Sequence, residues 1–358
     1  MTNAERIQAN NAELREAITM AENLPDAGGG GGDGAELARS IVEKSITAFN
    51  DSEVTTVGAY AFIDCDNMTS VNVPKATALG NYAFSSCGVL GSVKIPLVTS
   101  IGQYAFNACA ALPSINGSAV TSIGNYGFTG CTSLVSVDFP KLISVGQYAF
   151  QNCALLESFD GENVTTVGTY AFTGCSALTD INLPKATSVG SYAFNACGAS
   201  HISLPSLKTM SSGAFRGSKF VSVDLPLVTN IGNNGFRAQA YIKSVTFPKV
   251  TSTASESMRN CTALTYVDLP LCASFGTYTF YDCTNLETLI LRITTKICPL
   301  SNVNVLTNTK IANGTGYVYV PKAYLSDDDA TKDYRRATNW SNYASQFRAI
   351  EDYPEICG

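Results

Sequence analysis

Twelve cysteines, a single histidine and a periodic set of aspartates are the residues of this chain that could do chemistry. Nine cysteines hold one position of a repeat: Cys65, Cys87, Cys109, Cys131, Cys153, Cys175, Cys197, Cys261 and Cys283. So many thiols suggest disulfides or zinc. No C-x-x-C pair occurs, so the zinc-ribbon spacing is missing. Thiols repeated at a fixed period would stack about one strand spacing apart, ~4.8 Å. Their Cβ vectors would run nearly parallel, which holds the Cβ atoms outside the usual disulfide range of roughly 3.5–4.5 Å. The expectation is a column of reduced, buried thiols acting as small hydrophobes. His201, between Ser200 and Ser203, would have to serve any Ser–His–Asp or Cys–His system. It reads as a surface side chain on a strand. One histidine excludes metal sites built on several, and the glycine run lacks the Lys-Ser/Thr of a phosphate loop. The chain reads as a non-enzyme with no cofactor and no metal.

The aspartates belong to two outward columns. The first runs Ser70, Ser92, Ser114, Ser136, Ser158, Asp180, His201, Ser222, Ser244, Tyr266, Thr288. The second runs Asn72, Lys94, Asn116, Asp138, Asp160, Asn182, Ser203, Asp224, Thr246, Asp268, Ile290. Two readings fit. One is a solvated strand face, with Ser chosen for solubility. The other is a shallow polar face for a protein or carbohydrate ligand, held by Ser136, Asp138, Ser158, Asp160, Asp180, Asn182, Asp224 and Asp268. Asp138 and Asp160 would lie on adjacent rungs, which raises the cost of ionising both. Two carboxylates without a third acid are a weak cation signal.

The elements that position these columns follow from one aromatic position. Phe128 recurs as Phe62, Phe84, Phe106, Phe150, Phe172, Phe194, Phe215, Phe236 and Phe280, with Met258 in the gap. The step is 22 residues, except for two of 21 around Phe215. Such a period signals a stacked solenoid. In each unit Leu134, Val137 and Phe139 mark a short strand that Pro140 ends, because proline lacks the N–H a ladder needs. Leu142 and Val145 start the return path. Tyr148-Ala149-Phe150 reads as one helical turn with Phe150 inward. Tyr60, Tyr82, Tyr104, Tyr126, Tyr148, Tyr170 and Tyr192 form a convex column with a packing role beside phenylalanine. Ser211–Ser218 and Thr253–Met258 depart from the pattern, so local irregularity is expected there.

The pattern L-x-x-V-x-[ILVF]-P-x-[LVA]-x-x-[IV]-G-x-Y-A-F-x-x-C resembles the BspA-like class of leucine-rich repeats. The resemblance implies a leucine-rich-repeat solenoid: a right-handed β/α superhelix, a concave parallel sheet, and short helical or irregular convex turns. It also implies adhesion or protein binding at a cell surface.

The domain reading has five parts. Residues 1–25 hold an N-terminal helix over 4–24, with Ile7, Leu14 and Ala21 in a weak heptad seam that could make a homo-oligomeric stalk. Residues 26–34 are a glycine-rich tether. Residues 35–53 are an entry cap in which Ile46 and Phe49 take the places of Leu134 and Val137. About eleven repeats fill 54–293. Residues 294–358 hold a strand at Gly316–Pro321, the acidic run Asp327–Asp329, and a partly helical cap with Trp340, Tyr343 and Phe347 on one face. The run VYVPKAY…YRRATNWSNYASQFRAI resembles terminal segments of gut-bacterial and prophage-encoded repeat proteins. A net charge of −6 and the lack of a basic run argue against nucleic acid. No apolar stretch reads as a signal peptide or a membrane span. The ligand and the place of action stay open between a virion or tail-associated role, a cell-surface adhesin and an intracellular scaffold.

Overall fold

The computed structural model describes residues 46–293, 295–326 and 332–357. The expected helix at 4–24, the tether at 26–34, most of the cap at 35–53 and the Asp327–Asp329 run lie outside the described residues. The chain divides into two units, Met1–Leu156 and Glu157–Gly358.

In the first unit each 22-residue turn contributes two short parallel strands. Ala48–Asn50, Ser70–Asn72, Ser92–Lys94, Ser114–Asn116 and Ser136–Asp138 form one sheet in chain order. Ala48 pairs with Ser70, and Ser114 with Ser136, so the register equals the repeat. The first strand of the stack therefore lies already in the entry cap, where Phe49 is buried opposite Val71. Thr56–Val57, Ala78–Leu79, Ser100–Ile101, Ser122–Ile123 and Ser144–Val145 form a second parallel ladder. Sequence reading missed this second ladder. It is two residues wide, and its apolar member looks like any return-path residue.

The third side of the turn corrects an expectation. Tyr148-Ala149-Phe150 is not a helical turn, because Tyr148 has φ 57°, in the left-handed region. Alternate backbone N–H groups here donate to the following rung: Tyr82 N to Gln103 O at 2.8 Å, Phe84 N to Ala105 O at 2.8 Å and Ser86 N to Asn107 O at 2.7 Å. An α-helix would send those bonds back along its own chain. The irregular turns are themselves a ladder, which satisfies backbone groups that would otherwise be lost. Inside, Phe84, Phe106, Phe128 and Phe150 are fully buried and stack at 5.3–5.4 Å between ring centroids.

The second unit repeats the plan with interruptions. Ser158–Asp160 pairs with Asp180–Asn182, and His201–Ser203 with Ser222–Asp224. Thr166–Val167 pairs with Ser188–Val189, and Asn230–Ile231 with Ser252–Thr253. Ser244–Thr246, Tyr266–Asp268, Thr288–Ile290, Tyr317–Val320 and Phe347–Ala349 make a five-stranded sheet. The irregular units keep their backbone path and change its contents. Gly213 takes the left-handed position held elsewhere by tyrosine, with φ 63°. Thr253 replaces an apolar residue, and its buried hydroxyl meets that of Thr279 at 3.0 Å.

The cap is helical in part, but the expected helical face of Trp340, Tyr343 and Phe347 does not form. Ser341–Gln346 is a 3-10 segment and Phe347–Ala349 is a strand, parallel to Tyr317–Val320. The three aromatics still gather: Trp340 lies 6.4 Å from Tyr343 and 5.4 Å from Phe347, centroid to centroid. Helical spacing was the wrong geometry for the right contacts. Trp340 Nε1 donates to the Cys298 carbonyl at 2.6 Å, which ties this segment to the chain leaving the repeats.

Candidate ligand-binding face

A three-residue strand turns its middle side chain inward and its outer two outward. Ser136 and Asp138 are exposed, as are Ser158, Asp160, Asp180, Asn182, Ser222 and Asp224. Neighbouring rungs hold the acids in place. Asn116 Nδ2 donates to Asp138 Oδ2 at 2.8 Å, Asn182 Nδ2 to Asp160 Oδ1 at 2.8 Å, and the Ser203 hydroxyl to Asp224 Oδ2 at 2.8 Å. His201 Nδ1 lies 2.8 Å from the Ser222 hydroxyl on this exposed face. It has no carboxylate partner of the kind a proton relay uses. Among the described residues no group of three or more His, Cys, Asp or Glu is placed to hold a metal ion.

Asp268 is a correction. It is buried, and its carboxylate accepts Arg292 Nη2 at 2.9 Å. Its column ends in apolar contacts: Ile290 and Tyr319 are buried together beneath Tyr266, Ile350, Tyr353 and Ile356. The outward position is a polar surface only as far as the chain leaves it uncovered. A sequence column carries no sign of where a later segment folds over it.

The thiols form the expected column, with one bond that spacing does not reveal. None of them is in a disulfide, and all are buried. Cys87 Sγ donates to Phe62 O at 3.0 Å, Cys109 to Phe84 O at 3.1 Å, Cys131 to Phe106 O at 3.1 Å and Cys153 to Phe128 O at 3.1 Å. Cys261 and Cys283 do the same to Phe236 and Met258. Where the column loses its thiol, another donor takes over: the Ser218 hydroxyl meets Phe194 O at 2.5 Å, and Gln239 Nε2 meets Phe215 O. The position selects a small buried donor for an inward carbonyl. Its chemistry is structural.

Burial pushes the Cys109 and Cys153 thiols up to about 12 and Cys197 to about 11. The buried thiols keep protons that an unfolded chain releases above the ordinary thiol value of 9.0. Their contribution to stability is complete below that value and is lost as pH climbs towards 12. Native protein is expected to resist a thiol reagent at neutral pH. Titration of the denatured, unreduced chain should count close to twelve thiols. A count near zero would mean disulfides.

The tyrosine column stacks on itself and forms a ladder separate from the phenylalanines. Tyr60–Tyr82, Tyr82–Tyr104, Tyr104–Tyr126 and Tyr126–Tyr148 lie 4.4–4.9 Å apart within 8° of parallel. In the second unit Tyr170 and Tyr192 stack at 5.0 Å. In the first unit Tyr82, Tyr104 and Tyr126 have both ring faces covered, so they offer edges and not platforms. Tyr104 has φ 55°, where a Cβ is disfavoured by roughly 1–2 kcal/mol. Two stacks of about 0.5–1.5 kcal/mol each offset that. Tyr104→Ala keeps the strain and loses the stacks, whereas Tyr104→Gly relieves the strain. The alanine variant should be the less stable of the two by about 1 kcal/mol in urea unfolding. The reverse order would show that the stack does not sit on a strained backbone.

A family model described as the BspA type leucine rich repeat region matches in six copies, over residues 43–153, 99–221 and 208–313. No curated protein matches the chain. Among solved structures, a leucine-rich repeat protein from Bacteroides ovatus is 20% identical, with a TM-score of 0.56 over 85% of this chain and 92% of that one. A leucine rich cell surface protein from Faecalibacterium prausnitzii is 20% identical, with a TM-score of 0.44 over 85% and 86%. The leucine rich repeat protein of T. pallidum is 28% identical, with a TM-score of 0.41 over 43% and 77%. The first of these likenesses shows the fold: stacked parallel strands of a leucine-rich-repeat solenoid.

Proposed function

The chain belongs to the BspA-type leucine-rich repeat family, and from that premise we propose that it is a non-enzymatic binding scaffold whose exposed strand face takes a protein or carbohydrate ligand. The observation that carries this reading is the fixed set of acids. Each of Asp138, Asp160 and Asp224 has one carboxylate oxygen held by a neighbouring rung, and the other is directed to no such bond. A side chain already ordered loses less entropy on binding. The small hydroxyls of Ser114 and Ser136 beside them leave the face shallow, so a broad ligand reaches the acids without obstruction. Carboxylate acceptors on an exposed strand face suit the hydroxyls of a glycan or the amides and ammonium groups of a protein.

The place of action we propose is an outer surface, cellular or virion-associated. The family favours the first, and the resemblance of the C-terminal segment to prophage-encoded repeat proteins favours the second. No helix among the described residues is long and apolar enough to cross a membrane. The test is a glycan and protein array probed with the intact chain, then with Asp138→Ala and Asp160→Ala. The expected result is a ligand whose signal falls in both variants. A ligand retained equally by both, and lost on changes to the turn face, would sink the strand-face reading.

A further inference from the structure

The turn face changes character within the second unit. The turns at 168–175 and 190–197 read GTYAFTGC and GSYAFNAC, without a charged residue. From Ser211 onward the residue after the core position, Phe215, Phe236 and then Met258, is arginine three times in succession: Arg216, Arg237 and Arg259. Backbone bonds put them at the same place on consecutive rungs. Gly217 N donates to Arg237 O at 2.9 Å and Ala238 N to Arg259 O at 2.8 Å. These are also the rungs in which the tyrosine ladder is replaced, by Gly213, Asn234 and Glu256. Two independent columns therefore change together.

The charges in this block are unequal. Glu256 Oε2 accepts Arg237 Nη1 at 2.7 Å, and Arg259 Nη1 lies 3.3 Å from the same oxygen. Two guanidinium groups converge on one carboxylate oxygen, and the Arg259 guanidinium also packs 4.9 Å from the Tyr281 ring centroid. Arg216 and Lys219 are exposed on the preceding rung, and no ion pair ties either to an acid among the described residues. Arg259 Nε and Asn260 Oδ1 are buried without a hydrogen-bond partner. One acid stands among four basic groups in a chain whose net charge is −6.

We propose that this arginine column is an anion-binding surface for a polymer with one negative group per repeat, an acidic or sulfated glycan. Glu256 occupies part of the site as a resident carboxylate. Guanidinium groups suit the planar, bidentate recognition of carboxylate and sulfate oxygens. Spacing selects the glycan over an acidic peptide. Rungs are one strand spacing apart, ~4.8 Å, whereas like-facing carboxylates of an extended peptide recur at about 6.6 Å. A pyranose chain that turns the charge of each ring to the same side keeps closer step with the rungs. Asn233 and Asn234 flank the column; their amide oxygens already accept Ser255 N at 3.0 Å and Arg237 Nη1 at 3.1 Å, so it is their Nδ2 donors that suit ring oxygens. This surface is separate from the strand-face aspartates, so either proposal can fail alone.

The test measures binding of dextran sulfate, uncharged dextran and polyglutamate to the full chain, over a range of salt. Dextran sulfate should bind with an affinity that falls as salt rises, and uncharged dextran should not bind. Arg216→Glu with Lys219→Glu should weaken it about tenfold, and Arg216→Gln alone about two- to threefold. Both positions are exposed, so melting should be unchanged. Glu256→Gln removes the resident acid and should tighten binding severalfold. Asp160→Ala should leave it unchanged. Three outcomes would overturn the proposal: no binding of dextran sulfate at low salt, binding indifferent to the charge reversals, or preference for polyglutamate.

Discussion

Gly102→Ala is expected to destabilise the fold by about 3 kcal/mol or more, and Gly88→Ala to change it by less than about 1 kcal/mol. Both substitutions add one methyl group to a glycine of the first unit. A Cβ on Gly102 would lie 2.5 Å from the carbonyl carbon and oxygen of Gly80 and 2.7 Å from Asn81 N. These are backbone atoms of the preceding rung, and no rotamer can move them aside. Gly102 N is also held, donating to Leu79 O at 2.9 Å. The same contact recurs at Gly124 and Gly146. Relief would have to come from opening the stack. A Cβ on Gly88 meets nothing within 4 Å. The corresponding residues of later turns, Ala110 and Thr132, already carry one. Urea unfolding of the two variants decides the matter. Equal, small losses would mean that the rungs are not in close backbone contact at the repeated glycine step.

The second large effect is a coupling. At the inward position after each strand most turns carry a branched or aromatic residue, such as Val73, Ile95 or Phe139, whereas Gly117 carries nothing. A Cβ there would lie 2.5 Å from Val120 Cγ2 and 3.1 Å from Phe139 Cε1. The Phe139 ring of the next rung fills the space that Gly117 leaves. Gly117→Val alone overpacks the core and should cost about 2–3 kcal/mol. Phe139→Val alone leaves a cavity and should cost about 2–4 kcal/mol. Together they restore a common pair, and the double variant should recover at least about 2 kcal/mol relative to the sum. Strict additivity in a double-mutant cycle would show that the two positions are not in contact.

Much of this fold is legible because stacking repeats each constraint once per rung. The phenylalanine step, the buried Leu134 and Phe139 that flank the strand Ser136–Asp138, and the buried thiols all emerge from columns. The structure placed each of them inward. What stayed hidden has local causes. The left-handed tyrosines look helical in a Tyr-Ala-Phe triplet, because propensity says nothing of bonds that run to another rung. The two-residue second ladder is too short to show alternation. Asp268 looks like Asp138 in a column, yet a later segment and Arg292 remove it from the surface. The candidate ligand face could be read as far as side-chain type and outward direction. The lateral bonds that hold the acids depend on which partner sits one rung away.

The register of these ladders bears on how such a chain can change its length. Bonds that join rungs in the first unit recur at the same offset from one turn to the next, as Thr77 to Thr99 and Thr99 to Thr121 do by both backbone and hydroxyl. An in-frame loss or gain of one whole period therefore rejoins matching partners, and the sequence can be shortened or lengthened by recombination between its own copies. Gly117 and Phe139 set the exception. A crossover that separates them leaves a void or a clash, so that neighbouring pair is inherited as a block.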